Sequence, residues 1–190
     1  MGRRRQKQAG LAALIAALVA IAAQFIPAGE TSPTPRDQVS LPSQGEAEAT
    51  LIRASDGDTL KVMIADLKES VRLIGIDAPE SHPNERALRL SKKTGEPVKQ
   101  IVIKGKRSAQ FVASLLSEGD KLRLVYDRQK RDRFGRLLAY VYLPDGRMLQ
   151  EVIIQEGYAT PLTIAPNNRF RHTFEAEYVA AQRHKKGLWR

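Results

Sequence analysis

The chain has 190 residues, enough for one ordinary domain with a full core and an extra segment at one end. Lys and Arg number 31 against 21 Asp and Glu, and the resulting net charge of +10 favours a polyanionic partner, nucleic acid or an anionic membrane surface. Cysteine is absent, which excludes disulfides, thiolate metal sites and a thiol nucleophile.

The first element is a targeting segment. "MGRRRQKQ" is a positively charged start, and Ala9–Ala28 is an apolar run interrupted only by Gln24 and closed near Pro27. With no polar stripe to give it an amphipathic face, the run reads as a secretory signal or an N-terminal membrane anchor over residues 1–28. Small residues at Ala23 and Ala28 permit cleavage, while the length of the run permits an uncleaved span, and both readings stand. Either one exports the rest of the chain to the cell surface or beyond. Without residues 1–26 the protein still carries 27 Lys and Arg against 21 Asp and Glu, a net +6. Residues 29–46, rich in Pro, Ser, Thr and Gly, read as a flexible linker, and the folded domain is expected over 47–190.

Three runs rich in Val, Ile, Leu and Thr follow: "ATLIRAS", "TLKVMIAD" and "SVRLIGID". The breaks between them, "DGD" and "LKES", predict turns of an antiparallel meander. Residues His82 to about Lys104 read as an irregular basic segment. "KRSAQFVASLLSEG" then carries Phe111, Val112, Leu115 and Leu116 at helical spacing before Gly119. Two further strands, "KLRLVYD" and "RLLAYVYL", flank the polar loop "RQKRDRFG", and helices are predicted at "MLQEVIIQEG" and "TFEAEYVAAQRHKK". Five strands with three helices predict an α+β fold built on a small barrel.

The chemistry gathers where the second and third strands meet. A hairpin between them sets Asp58, at the start of one, beside Asp77, at the end of the other. Converging carboxylates repel unless a cation sits between them, and oxygen donors without His or Cys point to Ca²⁺ or Mg²⁺ rather than zinc. Glu80 follows Asp77 after Ala78-Pro79, where it is available to orient a water. Arg72 and Arg136 offer the planar fork of donors suited to a phosphate that is gaining charge. Side-chain alternation puts Arg72 and Asp77 on opposite nominal faces, so a twist or bulge near Gly75 is required to bring them together. Metal, carboxylate and two arginines describe phosphodiester hydrolysis.

In combination "DGDT", "VRLIGIDAPE", "DRFGRLLAYVYL", "GYA" and the closing "KKGLW" resemble the staphylococcal nuclease family over about Ala47–Trp189. The resemblance implies an OB-fold five-stranded β-barrel with three helices and Ca²⁺-dependent cleavage of DNA and RNA. Water attacks in line in that family, the bond to the 5′ oxygen breaks, and 3′-phosphate ends remain. It further implies that Asp58, Asp77 and the main-chain carbonyl of Ala78 hold calcium, and that Arg72 and Arg136 serve the transition state. Glu80 is either the general base or the group that positions the water.

The chain departs from the family pattern in places. Ala78 stands where the founding nuclease has threonine, a change that keeps the carbonyl. Leu162 and Ile164 stand in a loop where that nuclease has tyrosines, and Phe134 replaces the tyrosine of a Y-G-R motif, losing a hydroxyl but keeping a stacking face. Residues 82–107 form a longer, basic insertion, in which Lys92 and Lys93 are candidate phosphate contacts or members of a solvated surface. The same barrel also occurs as a catalytically inactive nucleic-acid-binding module. Retention of Asp58, Arg72, Asp77, Glu80 and Arg136 together argues for the enzyme, which is expected to act as a monomer.

Overall fold

The computed structural model describes residues 45–190; the expectations for residues 1–28 and for nearly all of 29–46 lie outside them. Alternating apolar positions build the barrel. Strands β1 (Glu46–Asp56), β2 (Thr59–Ile64) and β3 (Leu67–Leu73) form an antiparallel meander, with Leu60↔Val71 and Thr59↔Arg72 in register. After the short strand β4 (Gly75–Asp77) and two helices, β5 (Lys121–Arg131) and β6 (Leu137–Tyr142) form a second hairpin. A parallel pairing of β3 with β6 and an antiparallel pairing of β1 with β5 close the barrel in the order β1-β2-β3-β6-β5. Leu60, Val62, Val71, Leu73, Leu122, Leu124, Ala139 and Val141, spaced by two along their strands, are fully buried inside it.

Among the described residues four α-helices accompany the barrel rather than the three expected. Helix α1 (Glu85–Thr94) and the first turns of helix α2 (Val98–Ser114) occupy the segment expected to be irregular. Only Ala87 of α1 is buried, so no apolar periodicity marks it; its ends hold it instead. Asn84 caps the start by accepting a bond from the Ala87 amide at 2.8 Å, and Gly95 closes it in the left-handed conformation at φ 76°. Helix α2 begins eight residues before Lys106, the start of the stretch that predicted it, burying Ile101, Val102, Gly105, Ser108 and Val112 along one face. It also stops at Ser114, short of Gly119. Helices α3 (Leu149–Gln155) and α4 (Arg171–Arg183) follow as expected, with Leu149, Ile153 and Phe174 buried in the common core.

Two loop expectations are also revised. The "LKES" stretch is strand, because Ala65 and Asp66 take the reversal with positive φ values of 43° and 68°. The loop "RQKRDRFG" is strand through Arg131, leaving a tight turn at Asp132–Gly135. No helix among the described residues is long and apolar enough to cross a membrane, and Ala9–Ala28 is not among them.

Candidate active site

The third apolar run is not one strand. It breaks at Ile74-Gly75, where Gly75 has φ 86° and β4 leaves the barrel to pair with β7 (Thr160–Leu162). A Cβ at Gly75 would collide with the Phe174 ring, so the position requires glycine for both conformation and space. The break re-aims Asp77 onto the face that carries Arg72, which uninterrupted alternation forbids.

The consequence is a closely built charge cluster. Arg72 Nη2 lies 3.1 Å from Asp58 Oδ2 and 3.0 Å from Asp77 Oδ1, while Nη1 donates to the Leu73 carbonyl at 2.8 Å. Asp58 is 7% exposed and Arg72 9%, so neither charge is screened by water as a surface ion would be. Asp58 is fixed further: Oδ1 accepts from the Thr59 hydroxyl at 2.9 Å and Oδ2 from the Ala78 amide at 3.2 Å. Asp56 fills the turn role, accepting from the Gly57 amide at 2.8 Å. Burial raises the Asp56 carboxyl above its ordinary value; the Gly57 bond opposes this, and the charges of Asp58 and Glu80 add to it.

Glu80 joins the cluster through residues that sequence reasoning did not single out. Arg86, from the first turn of α1, contacts Asp77 with Nη2 and reaches Glu80 Oε1 with Nη1 at 2.8 Å. Asn84 donates its side-chain amide to Glu80 Oε2 at 2.6 Å. The usable signal was the N-cap pattern Asn84-Glu85-Arg86 directly after Pro83, a helix start within reach of Glu80. Gly105 is a third missed residue: a Cβ there would collide with the Glu80 main chain, so its hydrogen lets α2 press against the loop that carries Glu80.

Arg136 lines a cleft of about 590 Å³ whose walls also include Arg72, Arg86, Phe134, Leu162 and Ile164. Its guanidinium is held by Asp132, with Nε 2.8 Å from Oδ2, and the Asp132 Oδ1 accepts from the amides of Phe134 and Arg136 at 2.9 and 3.0 Å. Burial works against the Asp132 charge, but the hydrogen bonds from Arg136 and the turn amides outweigh it and lower the carboxyl. Phe134 is 69% exposed and Ile164 66%, an apolar rim on a cationic cleft. A second cleft of about 350 Å³ lies on the other side of Arg86, between Asp77, Glu80, Arg89, Lys93 and Thr160. Lys93 therefore faces the cluster, whereas Lys92 is exposed and lines neither cleft.

The donor chemistry fits a hard divalent cation. Three carboxylates, Asp58, Asp77 and Glu80, contact two guanidiniums, Arg72 and Arg86, and Asp56 lies near Asp58 and Glu80, leaving a net charge of about −2. No His or Cys takes part. Among the described residues no three acidic, His or Cys side chains converge as a ready-made metal cage.

The family model described as staphylococcal nuclease homologue matches residues 70–190. A thermonuclease of Staphylococcus hyicus is 32% identical over 180 residues, 95% of each chain. A thermonuclease of Staphylococcus intermedius is 33% identical over 72% of this chain and 73% of its own. The endonuclease YncB of Bacillus subtilis is 34% identical over 74% of this chain and 60% of its own length.

Proposed function

The chain belongs to the staphylococcal nuclease family, and from that membership we propose that it is a calcium-dependent nuclease that hydrolyses phosphodiester bonds of DNA or RNA and leaves 3′-phosphate ends. The observation that carries this reading is the convergence of Asp58 and Asp77 on the buried Arg72, at 3.1 and 3.0 Å, beside a cationic cleft with an apolar rim.

In this reading Asp58, Asp77 and the Ala78 carbonyl hold the calcium, whose charge offsets that of a phosphoryl oxygen when it is bound. Glu80 orients a water in line with phosphorus and accepts its proton as the P–O bond forms. Arg72, fixed by three partners, presents donors that need no reorganisation as charge grows on the equatorial oxygens. Arg136 supplies a second fork to the same cleft, its direction set by Asp132. The P–O5′ bond breaks as the new P–O bond forms, and the departing O5′ takes a proton from solvent water, so the fragment leaves with a 5′-hydroxyl. Phe134 offers a stacking face to an unpaired base, and Lys93, with Lys92 beside it, supplies positive charge to neighbouring phosphates. The positively charged start and the apolar run Ala9–Ala28 support export, with the segment either cleaved or retained as an anchor.

The test is digestion of single-stranded DNA by the purified full chain with calcium or with chelator, beside Glu80→Gln and Arg72→Ala. Calcium-dependent cleavage to 3′-phosphate ends that falls by orders of magnitude in both variants is the expected result. Binding of DNA without cleavage in any divalent metal would overturn the reading and leave a nucleic-acid-binding module.

A further inference from the structure

We infer that Arg86 is an exchangeable internal cation: it holds Asp77 and Glu80 together in the metal-free protein and yields Asp77 to calcium when the metal binds. The inference rests on the metal reading above and concerns a residue that this reading leaves without a role.

Two guanidiniums sit on the candidate metal ligands, and their surroundings differ. Arg72 is tied to Asp58, Asp77 and the Leu73 carbonyl, and its side chain is 11% exposed. It has no room to leave. Among the described residues Arg86 pairs only with Asp77 and Glu80, its side chain is 44% exposed, and it springs from the first turn of a helix with one buried residue. It also lines both clefts, so a rotation of its side chain moves the guanidinium from the carboxylates to the cleft walled by Arg72 and Arg136.

Charge makes the exchange favourable. A divalent ion at Asp77 would lie against the Arg86 guanidinium, and like charges at such distances repel strongly where water is partly excluded. The Arg86 side chain is the member of the pair with solvent on one side, so it is the one displaced. Glu80 keeps a partner throughout, because Asn84 holds its other oxygen at 2.6 Å. The released guanidinium then faces the cleft in which the phosphodiester is placed, adding to the positive charge of Arg72, Arg133 and Arg136 there once the metal is bound.

The experiment titrates calcium alone into the full chain by calorimetry, with no nucleic acid, and follows thermal unfolding in chelator and in saturating calcium. Removing a competing ion pair of this exposure should tighten calcium binding about three- to tenfold in Arg86→Ala. The variant should also melt lower than wild type in chelator and gain more from calcium. Arg86→Gln, which keeps a donor but not the charge, should follow it. Arg89→Ala removes the same charge from the same helix, where Arg89 pairs with Glu85 alone, and should leave calcium affinity within about twofold of wild type. Unchanged or weaker calcium binding in both Arg86 variants, with wild type binding normally, would overturn the exchange and leave the nuclease reading intact. An equal gain in Arg89→Ala would reduce it to bulk charge and overturn it too. If no protein of the set binds calcium, the metal assignment itself fails and the exchange fails with it.

Discussion

Gly75→Ala tests whether the break between β3 and β4 makes the site. Gly75 sits at φ 86°, and alanine there carries a strain of about 1–2 kcal/mol from the contact of its Cβ with the following carbonyl. The same Cβ enters the Phe174 ring, which is fully buried and cannot swing out, adding about 1–3 kcal/mol of overpacking. The expected loss is about 2–5 kcal/mol, or roughly 5–15 °C in melting temperature for a domain of this size. Urea and thermal unfolding in chelator read it. Phe174→Leu relieves the collision but not the backbone strain, so the double variant should cost about 1–3 kcal/mol less than the two single losses combined. Cleavage should fall about 100-fold, because Asp77 reaches Arg72 only through this break. Stability within about 0.5 kcal/mol of wild type, or strict additivity with Phe174→Leu, would refute the reasoning.

The raised Asp56 carboxyl, caused first by burial, makes the folded protein prefer the protonated acid, so wild type loses stability as pH rises from the ordinary carboxylate range through the folded-state value. Asp56→Asn, which keeps an acceptor for the Gly57 amide, should therefore melt higher than wild type at pH 7 in chelator, with the gain shrinking toward about pH 4. A gain independent of pH would assign the effect to something other than this charge. Phe134→Ala should leave stability within about 0.5 kcal/mol, since the ring is exposed, while weakening single-stranded oligonucleotide binding by about 1–3 kcal/mol. Unchanged affinity would remove Phe134 from the substrate surface.

Much of this was legible in the order of residues. Period-two alternation in "TLKVMIAD" and "KLRLVYD" marked barrel strands, because a strand with one buried face must alternate. Helix α1 was not legible by the same rule: it buries only Ala87, so its stability comes from the Asn84 cap and the Gly95 stop rather than from an apolar stripe. The start of α2 was hidden because Ile101 and Val102 lie among lysines whose charge masks the face they bury.

The residue types and their order alone made the basic surplus and the strand pattern of the barrel legible, since both follow from composition or local periodicity, and they brought Asp58, Asp77, Arg72 and Arg136 forward as candidates. Only the tertiary structure decided which charges meet. Gly75 could be flagged as the necessary breakpoint, yet the direction β4 takes depends on Phe174, distant in sequence, and on the pairing with β7. Arg86 and Asn84 reach Glu80 because α1 packs beside the site, and ionic contacts depend on distances of a few ångströms that no spacing along the chain specifies.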